Sequence, residues 1–205
     1  MLAKYVRFSA VLVCLVFLAL PVYADVVGTW DVTGTMKHTI SIKHVGHSSG
    51  TDPVTDTFTF DSNGSFTATA EAATGTWQYI NTKDTKADVL IPENQLITYL
   101  TTKTNDMIQQ AGYSATVDNI VLTKNKNTVK QNKDGTLSGK WALSFTCNIH
   151  YQGYNLPGKV KTNMKATMTQ VAAGAASPAS IEEEGILSAI AEKLTDQIED
   201  AILDF

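Results

Sequence analysis

The chain has 205 residues, a formal net charge of −4 and 43% hydrophobic residues, which suits one domain with a buried core. Between residues 25 and 179, lysines and acids occur in nearly equal numbers, so no strongly basic face is expected and nucleic-acid binding is disfavoured. The only arginine is Arg7, which also argues against a role that needs bidentate grip of phosphate or carboxylate.

Residues 1–24 have the parts of a secretory signal peptide. Lys4 and Arg7 make a short positive region, and an apolar run follows from Phe8 to Leu20. This run is shorter than the roughly 20 apolar residues that a spanning helix needs. We therefore predict cleavage after Ala24, no integral membrane segment afterwards, and a periplasmic or extracellular location.

Residues 25–171 are predicted to form a β-barrel domain, because threonine, valine and aromatic residues alternate there with polar ones. Asn63-Gly64 and Asp134-Gly135 each separate two alternating runs, which is typical of type I′ hairpins. A third hairpin is predicted around Gly153. Counting the runs gives roughly eight to ten strands, joined mostly by short turns.

One helix is predicted to interrupt the barrel between residues 92 and 112. Pro92 suits the first helical turn, and Gly112 suits the position just past the end. The strand-like alternation gives way there to the helical spacing of three and four residues. The residues at this spacing are Leu96, Tyr99, Leu100, Lys103, Met107, Ile108 and Ala111.

The C-terminal part is predicted to be a linker, 172–180, followed by an acidic amphipathic helix, 181–205. Ser180 and Glu183 form a capping-box pattern before this helix. Its apolar stripe comprises Leu187, Ile190, Leu194, Ile198, Ile202 and Phe205. We expect the stripe to dock on the barrel. The alternative is that it binds a partner protein; binding to a membrane surface is disfavoured because the helix is acidic.

All three tryptophans occur in a Gly-x-Trp setting. A glycine lets a ring two residues further on pack against the backbone, and such rings can plug the end of a closed barrel. We therefore interpret these residues as structural: Gly28, Trp30, Gly75, Trp77, Gly139 and Trp141.

The segment "VGTWDVTG", which contains Trp30, resembles the opening strand of the calycin group, which includes lipocalins, avidins and bacterial lipocalin-like secreted proteins. The stretch from Phe58 to Trp77 is similar to the second and third strands of the bacterial lipocalin-like domains. The resemblance covers mainly Val26 to Ile80. It implies an up-and-down barrel holding a small, often apolar ligand. The mature chain lacks the arginine that lipocalins usually place against the early tryptophan, and the inserted helix and acidic tail are not family features.

Candidate chemical groups are few. His38, His44 and His47 could contribute to a zinc or copper site, but surface histidines beside a loop are the preferred interpretation. Cys147 is the single cysteine of the mature chain and is predicted to point inward, with no internal disulfide. No nucleophile elbow, P-loop or G-x-G-x-x-G occurs. We predict no enzymatic activity and no cofactor.

The fold class predicted is mainly β, an antiparallel up-and-down barrel of the lipocalin-like kind with one inserted helix and a C-terminal helix. The predicted function is that of a secreted or periplasmic, non-catalytic binding protein for a small apolar or amphipathic ligand. The alternative is a protein–protein interaction or envelope-associated factor that acts through its loops or its C-terminal helix.

Overall fold

The computed structural model describes residues 25–70, 72–83, 85–171 and 185–203. The predicted signal peptide, the predicted linker, and the first four and last two residues of the predicted C-terminal helix, Phe205 among them, lie outside these ranges. Across the described parts of the chain, neither helix is both long and apolar enough to cross a membrane.

Eight antiparallel strands follow one another around a ring, which closes because the last strand pairs with the first. This confirms the predicted fold class, a mainly β up-and-down barrel with an inserted and a C-terminal helix. The strands are β1 (Gly28–Ile42), β2 (Gly46–Phe60), β3 (Ser65–Ala68), β4 (Ala73–Tyr79), β5 (Lys86–Leu90), β6 (Thr116–Gln131), β7 (Leu137–Tyr151) and β8 (Tyr154–Gln170).

The hairpin turns fall where they were predicted, but two have a different geometry. A type I′ turn needs positive φ at both central residues. In the first two turns only the glycines have it, Gly64 at 86° and Gly135 at 83°. Both turns are therefore longer connections that end on a left-handed glycine. The turn between β7 and β8 has the type I′ signature instead, with φ of 48° at Gln152 and 85° at Gly153.

The barrel wall has a gap because β3, β4 and β5 are short. Among the described residues, β2 pairs with β3 only through Phe58–Phe60, and β6 pairs with β5 only through Asn127–Lys130. These pairings all lie near the end of the barrel where β1 begins, which we call the Trp30 end. Towards the opposite end, β2 and β6 have no strand between them.

Two helices fill this gap. Helix α1 (Glu93–Gln110) packs against β6, and helix α2 (Ile186–Leu203) packs against α1, β1 and β2. Asn105 fastens α1 to the strand: its Nδ2 donates to the Val117 carbonyl at 2.9 Å, and the Val117 N–H donates to its Oδ1 at 2.6 Å. The wall therefore continues from β2 through α2 and α1 to β6.

Helix α1 lies within the predicted range and ends as predicted. Gly112 has a φ of 86°, its N–H bonds the Gln109 carbonyl, and the Tyr113 N–H bonds the Ile108 carbonyl. These two bonds form a Schellman motif. Pro92 is the N-cap residue rather than part of the first turn.

The interior is mainly apolar and continuous with the faces of both helices. An aromatic cluster fills the Trp30 end, with ring centroids 5.1–6.5 Å apart among Phe58, Phe60, Phe66, Trp77, Tyr79 and Trp141. Helix α2 buries Ile186, Leu187, Ala189, Ile190, Ala191, Leu194 and Ile198. The predicted docking of the C-terminal apolar stripe on the barrel is thus confirmed for the described part of this helix.

Candidate functional site

The three tryptophans are buried inside the barrel, but their indole N–H groups differ. Trp30 Nε1 donates to the Val26 carbonyl at 2.9 Å, and Trp77 Nε1 donates to the Asp61 carbonyl at 3.0 Å. Both bonds fix chain segments at the Trp30 end. Trp141 Nε1 is buried and has no hydrogen-bond partner among the described residues. Of the three tryptophans, Trp141 is therefore the one whose N–H donor is unused among the described residues.

Two glycines of the Gly-x-Trp motifs have different structural roles. A Cβ on Gly139 would overlap the ring of Trp141, so this ring lies flat over its own strand. A Cβ on Gly75 would overlap the Leu90 carbonyl on β5, so Gly75 permits close approach of two strands rather than of Trp77. Trp77 and Trp141 lie at the fifth residues of their strands, not at the strand starts.

A small apolar chamber lies beside Trp141, between the barrel and the two helices. Its volume is about 30 Å³, room for one or two water molecules. No titratable side chain lines it. The lining residues are Phe58, Phe66, Ala68, Ile91, Leu96, Asn125, Asn127, Trp141, Leu143, Thr162, Met164, Ile186 and Leu187.

The polar groups of the chamber are almost all engaged. Asn127 Nδ2 donates to Asn125 Oδ1 at 2.9 Å, and Asn125 Nδ2 donates to the Ile91 carbonyl at 3.1 Å. Thr162 Oγ1 donates to the Leu143 carbonyl at 3.3 Å. Trp141 also lines the chamber, and its buried indole N–H has no acceptor among the described residues, which costs about 1–3 kcal/mol.

A larger open groove lies outside the chamber, along α1. Its volume is about 560 Å³, and polar side chains line much of it, including Asn94, Gln95, Lys103 and Asp106. Leu96 and Leu187 line both the groove and the chamber. We call these two leucines, which the groove and the chamber share, the partition.

The three histidines are not brought together. His38 points into the barrel, where its Nδ1 lies 2.7 Å from Asp52 Oδ2. His44 occupies the turn between β1 and β2 with a φ of 70°, and His47 is exposed on β2. Within the described ranges, no group of three or more His, Cys, Asp or Glu side chains is placed to hold a metal ion.

Cys147 is free and buried, in line with the sequence prediction. Its Sγ would lie 2.8 Å from a Cβ on Gly158 of β8, so that glycine makes room for the sulfur. Burial, and secondarily the negative charge of Asp118, raise the pKa of the Cys147 thiol to about 12. The thiol is therefore protonated at neutral pH and is a poor nucleophile.

The outer wall differs from the sequence expectation. We expected no strongly basic face, but strand alternation directs eight lysines to the outside of β5–β8, where all are exposed. We call this set the lysine wall: Lys86, Lys124, Lys126, Lys130, Lys140, Lys159, Lys161 and Lys165. The outward positions of β7 and β8 carry no acid.

The lysine wall has a signal in the sequence, which the charge balance of residues 25–179 conceals. Between residues 119 and 171 there are eight lysines and a single acid, Asp134. The chamber has a weaker signal: Lys124 to Asn127 alternate lysine and asparagine, and lysine is almost never fully buried. Asn125 and Asn127 must therefore face inward.

No known family model matches this chain, and comparison with curated proteins finds no match. The resemblance to the calycin group stays a prediction.

Proposed function

We propose that this chain is a secreted or periplasmic, non-catalytic binding protein for a small amphipathic ligand. The ligand's apolar end would occupy the chamber beside Trp141, and its polar end would lie in the outer groove along α1. The observation that carries this proposal is the shared boundary of the two compartments, which consists of Leu96 and Leu187.

The volumes of the groove and the chamber indicate which part of the protein must move for a ligand to bind. Ligand pockets of proteins usually measure about 300–1,000 Å³. The groove of about 560 Å³ is within that range, whereas the chamber of about 30 Å³ admits no organic ligand while Ile186 and Leu187 fill the adjoining space. The proposed binding event therefore displaces the first turn of α2, and the ligand replaces the buried area that these two side chains lose.

The chemistry of the chamber defines the buried end of the ligand. Its lining is mainly apolar and carries no charged side chain, so burial of a carboxylate or an ammonium there would be costly. The Trp141 N–H is a donor in need of an acceptor. A neutral oxygen such as a ketone, ester or alcohol meets both requirements.

The first test uses the neutral fluorescent probe N-phenyl-1-naphthylamine and the variant Leu187→Ala. This truncation removes half of the partition, so the groove and the chamber should join. We expect saturable one-to-one binding to the wild type, and binding at least about tenfold tighter to Leu187→Ala, a gain of about 1.4 kcal/mol. Titration with energy transfer from tryptophan measures both constants.

The matched control is Leu203→Ala, the same truncation on the same helix at a side chain that is 73% exposed. It should bind the probe like the wild type. Absence of saturable binding in all three proteins would contradict the proposal.

A second test addresses the Trp141 donor. Displacement of the probe by 2-decanone and by decane should show the ketone to be the better ligand of the wild type. In Trp141→Phe, which keeps a ring but lacks the N–H, the two compounds should compete equally. A ketone preference of the same size in both proteins would exclude Trp141 as the donor.

The alternative function, a protein–protein interaction or envelope-associated factor that acts through its loops or its C-terminal helix, has less support where the helix is concerned. The apolar residues of α2 are buried within the molecule, which leaves few of them for a partner protein.

A further inference from the structure

The lysine wall has a charge arrangement that does not help the barrel to fold. Lys140 lies directly opposite Lys165 in the pairing of β7 with β8, and Lys86 lies directly opposite Lys130 in the pairing of β5 with β6. Like charges directly opposite each other on neighbouring strands are destabilising.

The wall has almost no compensating acids. Ion pairs within the described residues involve His38, His150 and Lys193, and none joins a lysine of the wall to a carboxylate. Strands β5 and β6 carry one acid each, Asp88 and Asp118, and Asp118 is bonded to His150 at 3.1 Å. The positive field of the wall is therefore available to a ligand.

Five of these lysines converge on one shallow depression. It has a volume of about 320 Å³, and its charged lining is entirely basic: Lys86, Lys124, Lys126, Lys140 and Lys165. Thr128 and Asn163 add neutral polar groups to it. A depression of this size matches one compact group that carries several negative charges, rather than a single anion.

The lysine side chains are compatible with clustered phosphates. An ammonium group acts as a compact point charge, which suits phosphate oxygens without fixing their orientation. Trp141, the aromatic residue that lines the depression, is buried and points into the barrel, so the depression offers no exposed aromatic ring to stack on a nucleic-acid base.

We propose that the depression at the centre of the lysine wall binds a compact, multiply phosphorylated group. Such a group occurs in soluble metabolites and in the headgroups of some lipids, and both would present clustered phosphates to the same five lysines. This site is separate from the chamber beside Trp141, and its test does not depend on the amphipathic ligand.

The experiment titrates the full chain with inositol hexakisphosphate at 0.15 M NaCl by calorimetry. The test variant is Lys140→Gln with Lys165→Gln, which removes the directly opposed pair in the depression. The matched control is Lys43→Gln with Lys133→Gln, which loses the same charge from two exposed turns. We expect one-to-one binding that the test variant weakens at least tenfold and the control changes less than twofold. The test variant relieves a repulsion, so thermal melting should show it to be folded.

Vesicles distinguish the two sources of the group. Phosphatidylcholine vesicles with 10% cardiolipin carry two phosphates per anionic lipid, and vesicles with 20% phosphatidylglycerol carry the same charge as single phosphates. Retention on cardiolipin vesicles alone, lost in the test variant, identifies a lipid headgroup. Binding of inositol hexakisphosphate without retention on either vesicle identifies a soluble ligand.

Three results would overturn the proposal. The first is absence of binding to both inositol hexakisphosphate and the cardiolipin vesicles. The second is equal weakening by the test and control variants, which would mean that only net charge matters. The third is tighter binding of a 20-base-pair DNA duplex than of inositol hexakisphosphate, lost in the test variant, which would make the wall a nucleic-acid surface.

Discussion

Gly139 and Trp141 show how one missing Cβ shapes the interior of this barrel. The Trp141 ring lies over Gly139, while the same ring borders the chamber and packs on Phe58 with a centroid distance of 5.3 Å. The sequence spacing predicted that a glycine and a ring would share a face. It could not predict which of the three indoles would lack an acceptor, because that depends on where the segment before β1 and the turn after β2 place their carbonyl oxygens.

Cys147 leads to a prediction about pH. Its thiol pKa is about 12 in the folded state against 9.0 for a free thiol, so the folded chain keeps a proton that the unfolded chain loses. The stability that this thiol contributes is present below pH 9 and is lost as the pH rises from 9 towards 12. The free energy of unfolding of the wild type should therefore fall more steeply than that of Cys147→Ala, by up to about 1.4 kcal/mol per pH unit.

Urea unfolding at several pH values between 8 and 10.5 measures this difference. Lysines and tyrosines titrate in the same range but are common to both proteins, so they cancel in the comparison. Parallel profiles for the two proteins would contradict the prediction.

At the scale of elements, local sequence patterns predicted individual helices and strands, whereas the register of strand pairing determines how these elements assemble. The change of period between residues 92 and 112 predicted α1, and alternation predicted the long strands. The gap in the wall could not be predicted, because it depends on which residues of β2 and β6 find partners. Asn155 to Lys159 contains Pro157 and Gly158, residues usual in turns, yet it lies within β8. There the missing Cβ of Gly158 serves the packing of Cys147.

Helix α2 is expected to stabilise the barrel because it covers the gap. Leu194 is fully buried, so Leu194→Ala should lower the free energy of unfolding by about 2–5 kcal/mol. The same truncation at the exposed Leu203 should change it by less than about 0.5 kcal/mol. Urea unfolding followed by tryptophan fluorescence measures both. Equal, small effects would mean that α2 only rests on a barrel that is stable alone.

At the scale of the whole molecule, charge is segregated. The lysine wall occupies β5–β8, whereas eight of the acids lie between Ser180 and the C-terminus. The near balance of lysines and acids between residues 25 and 179 therefore led to the wrong expectation that no face is strongly basic. In a barrel, the position of a charge depends on its strand and on whether its side chain points outward, and the average composition shows neither.

This segregation predicts a dependence of stability on salt. At 0.02 M NaCl, Lys140→Gln should raise the free energy of unfolding by about 0.2–1 kcal/mol, because it removes the repulsion from Lys165. At 1 M NaCl, where the Debye length is only about 3 Å, the difference should vanish. Thermal melts of the variant and of Lys43→Gln at both salt concentrations provide the measurement. A gain that persists unchanged at high salt would mean that repulsion is not its cause.

The pairing of β1 with β8 also determines when the barrel can form. Trp30 pairs with Gln170, so the ring closes only after nearly the whole barrel sequence is available. Contacts so distant in the chain slow folding, and until they form, the hydrogen-bonding edge of β1 is open to other chains. The growing chain therefore cannot complete its barrel from the N-terminal strand onward, and the edge of β1 stays unpaired with β8 until the final strand has arrived.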